Sequence, residues 1–139
     1  IFKFKKTLNE YKKYINIKKK YININMGFKE NFDFNQRLNE STKIMNKYPS
    51  RIPIIVEKDN KCILNDIDKT KYLVPKDLNM NQFIYVIRKR INLEPSQSIF
   101  LMVNHQLCPS NTPLNSVYEE LADKDGFLYI KYTSENTFG

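Results

Sequence analysis

The sequence contains no tryptophan, one histidine, two cysteines and three glycines in 139 residues. Each scarcity removes a class of function. A structural zinc site needs about four His or Cys ligands. Cys62 and Cys108 lie far apart, form no Cys-x-x-Cys pair and have only His105 to join them, so no metal and no cofactor is expected. Both cysteines read as reduced thiols of a cytosolic protein, not as a disulfide framework. So few glycines, beside six prolines, exclude a fibrous repeat or a flexible array. With no paired carboxylates at a glycine-rich loop and no nucleophile beside a visible base, an enzyme is not expected. His105 reads as a solvated turn residue. No apolar run approaches the roughly 20 residues that span a bilayer, so membrane residence has to come from an attached group or a partner.

What is present suits one packed domain. Apolar residues make up 41% and aromatic residues 13% of the chain, with nine Tyr and nine Phe, enough for one core but short of two full domains. The net charge of +8 invites a nucleic-acid reading until its distribution is followed. Residues 1–25 hold eight Lys and one Glu, a net of +7, whereas residues 26–139 hold 15 basic and 14 acidic side chains, a net of +1. The globular part is therefore nearly neutral. Tyr11, Tyr14 and Tyr21 interleave with the lysines, but such a segment gives only nonspecific, salt-sensitive binding, and no specific nucleic-acid partner is expected.

Residues 1–25 are Lys-, Ile-, Asn- and Tyr-rich, the composition of a low-GC genome, and are expected to be a disordered extension without a signal-peptide core. The chain starts at Ile1, so Met26 is an alternative start. Met26-Gly27 lacks the Ser or Thr of a myristoylation signal, since Asn31 stands there, and the sequon Asn39-Glu40-Ser41 falls inside an expected helix. From Phe34 the apolar spacing is helical until Pro49. Arg51–Glu57 alternates as a strand, the polar loop 58–69 follows, and Lys71–Pro75 is a second strand, giving a hairpin with a long connection. Asn79 and Gln82 form a capping box opening a helix over Met80–Ile91, whose expected buried stripe is Phe83, Val86, Ile87 and Ile91. Ser98–Val103 and Gln106–Cys108 bracket a turn at Asn104-His105. Ser116 to Glu119 reads as a second capping box opening a short helix to about Ala122. Asp125-Gly126 turns into a final strand, Phe127–Tyr132. The order is a helix followed by ββαββαβ, the α+β order of a ubiquitin-like β-grasp with an N-terminal helical addition.

Several stretches carry a resemblance. They are Lys47-Tyr48-Pro49-Ser50-Arg51-Ile52-Pro53 with Ile54 to Lys58, Asp68 to Pro75, Ile87-Arg88-Lys89-Arg90-Ile91, Phe100 to Asn104, Asp125 to Ile130, and the closing Glu135-Asn136-Thr137-Phe138-Gly139. In joint order and spacing over residues 32–139 the sequence resembles the family of autophagy-related protein eight and GABARAP. The resemblance makes residues 26–139 the modifier domain, ending in an extended tail over 133–139.

The resemblance implies that Gly139 is adenylated by an E1-like activating enzyme, passed as a thioester to an E2-like conjugating enzyme, and joined to the amine of phosphatidylethanolamine. Glycine suits this because no Cβ obstructs a narrow channel or attack on the activated carbonyl. Seven extended residues from Thr133 span about 23 Å at roughly 3.3 Å each. If Gly139 is the encoded end no priming cut is expected, whereas a processed end removes that expectation; in either case a cysteine protease would serve for delipidation. Two acyl chains would then hold the domain on a membrane: cytoplasmic when free, autophagosomal when lipidated, or on a plastid-derived organelle as in some parasite lineages.

The second implied function is recognition of aromatic-x-x-aliphatic motifs of cargo receptors by strand addition at Lys71–Pro75. By resemblance, Glu40, Ile44, Pro53, Ile55, Lys71, Leu73 and Phe127 line the aromatic pocket. Tyr72, Val74, Pro75, Leu78, Phe83, Val86, Ile87 and Arg90 line the aliphatic one. Arg51, Lys69, Lys71 and Arg90 would attract acidic residues of the peptide, tuning rate and salt dependence. Periodicity alone assigns Leu73, Phe83, Ile87 and Phe127 to the core. The competing expectation is a noncovalent trafficking adaptor that uses the groove without lipidation.

Overall fold

The computed structural model describes residues 27–134. The extension 1–25, Phe138 and Gly139 lie outside the described residues. The chain divides into two units, Ile1–Asp33 and Phe34–Gly139. The first contains the single-turn helix α1, Phe28–Asn31, closed by the Asn31 and Phe32 amides donating to Gly27 and Phe28 carbonyls, with the Phe28 and Phe32 rings 5.0 Å apart.

The second unit opens with α2, Phe34–Lys47. Pro49 cannot continue a helix, and a turn returns the Arg51 amide to the Tyr48 carbonyl at 3.1 Å, launching β1, Arg51–Lys58. After the loop comes β2, Lys71–Pro75, then α3, Met80–Arg90. The capping box read from the sequence is formed: Asn79 Oδ1 accepts from the Gln82 amide at 2.9 Å, and Gln82 Oε1 accepts from the Asn79 amide at 3.0 Å. Strands β3, Phe100–Val103, and β4, Gln106–Leu107, flank a turn in which Asn104 and His105 both have positive φ, 51° and 63°, the twist that two-residue hairpins favour. Helix α4, Leu114–Leu121, and β5, Leu128–Thr133, complete the unit.

The strands form one mixed sheet in the order β2-β1-β5-β3-β4. β1 runs antiparallel to β2 and parallel to β5, while β3 is antiparallel to both β5 and β4. This is the ubiquitin-like α+β β-grasp. The central pair is buried on both faces. Ile52, Ile54 and Val56 join Tyr72, Val74, Leu128, Ile130 and Tyr132 against Met80, Phe83 and Ile87 of α3 and Leu114 and Val117 of α4. Pro53 and Ile55 alternate to the opposite face, where they are also buried and where α2 is tied down.

Strand β3 begins at Phe100, two residues later than expected, β4 ends at Leu107, one earlier, and three further expectations change. Val86 is not part of the buried stripe: it is 38% exposed, and Ile84 packs against the core instead. Helix α4 starts at Leu114, because Leu114 and Val117 are the buried pair and Pro113, with ψ 138°, offers its carbonyl to the Ser116 and Val117 amides. Ser116 therefore sits inside the helix, not at its cap. The last strand begins one residue later than expected, since the Phe127 amide donates to the Asp125 carboxylate at 2.9 Å, and it extends to Thr133, which pairs with Phe100.

Candidate functional site

β2 is an edge strand. The Val56 amide donates to the Thr70 carbonyl at 2.8 Å, and the register then sets Ile54 opposite Tyr72 and Ile52 opposite Val74. Antiparallel ladders alternate inward and outward backbone groups. The backbone of Tyr72 and Val74 therefore serves β1, and that of Lys71 and Leu73 projects outward. The Leu73 carbonyl is met there by the Arg51 guanidinium at 3.3 Å. An edge of this kind accepts a further strand unless something blunts it.

On one side of that edge the residues expected at the aromatic anchor are adjacent. Register places Pro53 opposite Leu73 and Ile55 opposite Lys71, and Phe127 immediately precedes β5, whose Leu128 pairs with Ile54. Pro53, Ile55 and Phe127 are buried; Ile44 and Leu73 are half-buried. Lys71 forms an ion pair with Glu40, one turn before Ile44 on α2. The result is an apolar floor with a charged rim.

On the other side the expected aliphatic set is layered. Tyr72, Val74, Phe83 and Ile87 belong to the main core, with the Tyr72 ring set edge-on to Phe83 at 5.7 Å. Leu78 is half-buried, while Pro75, Val86 and Arg90 are exposed. Burial pushes the Tyr72 phenol up to about 12, with Arg90 opposing and Asp68 adding to the shift. Its hydroxyl is buried with no hydrogen-bond partner among the described residues.

The four cations expected to meet acidic residues are already engaged. Arg51 holds Leu73, Lys71 holds Glu40, and Lys69 Nζ lies 5.1 Å from the centre of the Tyr72 ring. Arg90 binds the Asp68 carboxylate through Nε at 2.8 Å, and that hydrogen bond lowers the Asp68 pKa. An incoming carboxylate has to share or displace these contacts. A shallow hollow of about 320 Å³ lies elsewhere, lined by Asn81, Gln82, Ile84, Tyr85 and Arg88. All five come from α3, and among the described residues no strand edge and no second element lines it, so it is surface relief and not the site.

One supporting cluster escaped the sequence. Asp125 is fully buried; its carboxylate accepts from the Phe127 amide and the Tyr129 hydroxyl, and Arg37 Nε approaches to 3.5 Å. Its carbonyl accepts from the Ser41 hydroxyl of α2. Tyr118 donates to the Gly126 carbonyl at 2.7 Å. These contacts fasten α2 to the turn before β5 and so set the wall of the aromatic side. Asp125-Gly126 signals only a turn in sequence, and Ser41, its hydrogen-bond partner on α2, lies 84 residues away.

Comparison with known proteins agrees with this architecture. The family model for the ubiquitin-like autophagy protein Atg8 matches residues 36–139. Autophagy-related protein 8 of Schizosaccharomyces pombe is 52% identical over 112 residues, covering 81% of this chain and 93% of that protein. Autophagy-related protein 8e of Arabidopsis thaliana is 54% identical over 112 residues, covering 81% and 92%. The crystal structure of Trypanosoma brucei ATG8 superposes with a TM-score of 0.76 at 36% identity, covering 80% of this chain and 96% of that one.

Proposed function

Because the chain belongs to the Atg8 family of ubiquitin-like autophagy proteins, we propose that it is a modifier joined through Gly139 to phosphatidylethanolamine, and that the edge of β2 recruits cargo receptors to the decorated membrane. The observation carrying the recruitment half is the outward backbone of Lys71 and Leu73 between two apolar sets. A peptide strand laid there makes main-chain hydrogen bonds. Its aromatic anchor goes over Pro53, Ile55 and Phe127, and its aliphatic anchor between Val86, Leu78 and Pro75. Burying an aromatic anchor of about 150–250 Å² at about 25 cal/mol per Å² gives roughly 4–6 kcal/mol before association costs, consistent with micromolar affinity.

The conjugation half rests on family membership and on Gly139, which ends the matched range. Its carboxylate attacks the α-phosphate of ATP on an E1-like enzyme, expelling pyrophosphate to form an acyl adenylate; a cysteine thiolate displaces AMP to give a thioester, the acyl group is exchanged onto the E2-like cysteine, and the lipid amine displaces that thiolate to form the amide. Hydrolysis of that amide by a cysteine protease restores the carboxylate. This chain supplies the acyl group, and the catalytic residues belong to its partners. Among the described residues no helix is long and apolar enough to cross a membrane, so the attached lipid would carry the protein from the cytoplasm to autophagosomal membrane or to a plastid-derived organelle.

The test has two arms. Gly139→Ala should abolish the lipid adduct and disperse the protein in cells; undiminished membrane association would favour the noncovalent adaptor. Lys71→Glu with Leu73→Ala should abolish binding of aromatic-x-x-aliphatic peptides while sparing the lipid adduct, and unchanged binding would refute the groove.

A further inference from the structure

Among the described residues the most exposed large hydrophobic side chain is Ile63, at 71%, in the loop between β1 and β2. Its neighbours Cys62 and Leu64 are both buried and belong to the core. With the chain pinned inward on either side, Ile63 has to project. The loop around it is well held. The Cys62 amide donates to the Asp59 carbonyl at 3.0 Å, the Lys61 amide to the Asp59 carboxylate at 3.2 Å, and Asn65 Nδ2 to the Ile91 carbonyl at 2.9 Å. Lys58 reaches the Leu64 carbonyl and pairs with Asp66. Ile63 thus stands on a rigid mount beside the exposed Lys61.

Its position in the fold gives that projection a direction. β1 and β5 are parallel, so both end at one margin of the sheet. The Asp59 amide donates to the Tyr132 carbonyl at 3.0 Å, and the Tyr132 hydroxyl to the Asn65 carbonyl at 2.7 Å, which wraps the loop around the end of β5. The segment leading to Gly139 leaves from that same end. Five residues separate Ser134 from the chain end, a tether of at most about 17 Å by covalent geometry.

We infer that Ile63 is a bilayer contact: once the C-terminus is attached to lipid, the β1–β2 loop meets the membrane and Ile63 enters the interfacial layer with Lys61 at the headgroups. The inference rests on the proposed lipid attachment. A tether that short keeps the end of β5 close to the headgroups, and this loop shares that end. A branched apolar side chain flanked by a lysine suits the boundary between acyl chains and headgroups, where the lysine stem snorkels to water.

The absence of tryptophan supplies the test. In the full chain carrying Gly139→Cys and Cys108→Ser, with Cys62 buried, Ile63→Trp introduces a single reporter. Coupling to maleimide-bearing phosphatidylethanolamine in neutral phosphatidylcholine vesicles gives the native tether lengthened by a short succinimide linker. The expected result is a blue shift on coupling and loss of most of the emission when the acyl chains are brominated. Tyr85→Trp, at an exposed position on α3, should show neither. No shift for Ile63→Trp, or equal quenching at both positions, overturns the inference. So does Ile63→Asp slowing transfer from the conjugating enzyme in detergent while Ile63→Trp goes unquenched on vesicles, which would assign the loop to that enzyme. Chemical coupling bypasses the enzymes, so this result stands apart from whether Gly139 is their target; that question is answered by Gly139→Ala in a reconstituted conjugation reaction. Circular dichroism identical to the parent verifies that each variant folds.

Discussion

At the level of single residues the strongest commitments are at Asp125 and Gly126. Asp125→Ala would leave the buried Arg37 guanidinium without its counter-ion and the Tyr129 hydroxyl without its acceptor. Removing one partner of a buried pair costs about 3–5 kcal/mol, a loss to be read from urea unfolding. Gly126 has φ of 90°, and a Cβ there would lie 2.3 Å from Ser41 Oγ; Gly126→Ala should cost upwards of about 1 kcal/mol and loosen α2. Burial also raises the Tyr72 pKa from 10.0 to about 12, and those of Tyr129 and Tyr132 as well. Above the ordinary tyrosine value the unfolded chain releases these protons before the folded one does. Stability is therefore complete below about pH 10 and falls as pH rises through the folded values. A urea midpoint that stays flat across that window would contradict this account.

Individual elements were legible in the sequence where their signals are local. The helix stop at Pro49, the extent of β2 and the Asn79–Gln82 box all follow from neighbouring residues. Asn79→Ala should accordingly cost about 1 kcal/mol without changing the fold, measured by thermal unfolding. What was not legible depends on distant partners. Val86 has helical spacing for burial, yet no element among the described residues covers it. Ser116 has the capping-box pattern, yet burial of Leu114 starts α4 earlier. The two apolar sets of the candidate site could be named through resemblance, but their division into buried floor and accessible rim came only from the sheet register. The edge strand makes its own prediction. The outward N–H of Leu73 is not used by β1, so Leu73→Pro should preserve the β1–β2 ladder, as proline is tolerated at such edge positions. It should nevertheless eliminate peptide binding by removing a main-chain donor. A folded variant that still binds, by isothermal titration, would rule out strand addition.

For the molecule as a whole, charge and fold are separable. Residues 1–25 carry +7 of the net +8. Deleting them should abolish salt-sensitive retention on anionic vesicles and leave affinity for aromatic-x-x-aliphatic peptides unchanged; retention that persists would place the cationic surface on the domain. The α+β class was readable from element order, but the central place of β5 was not, because nothing local indicates that the last strand inserts between β1 and β3. That insertion has a consequence for biosynthesis. β1 emerges from the ribosome early, with Ile52, Ile54, Ile55 and Val56 all destined for burial, yet its parallel partner is translated some 70 residues later. Until Leu128–Thr133 clears the exit tunnel the sheet has no middle, and the nascent hairpin presents an apolar strand to the cytosol. The sheet therefore closes only after β5 has left the tunnel, and until then the exposed apolar strand is open to aggregation.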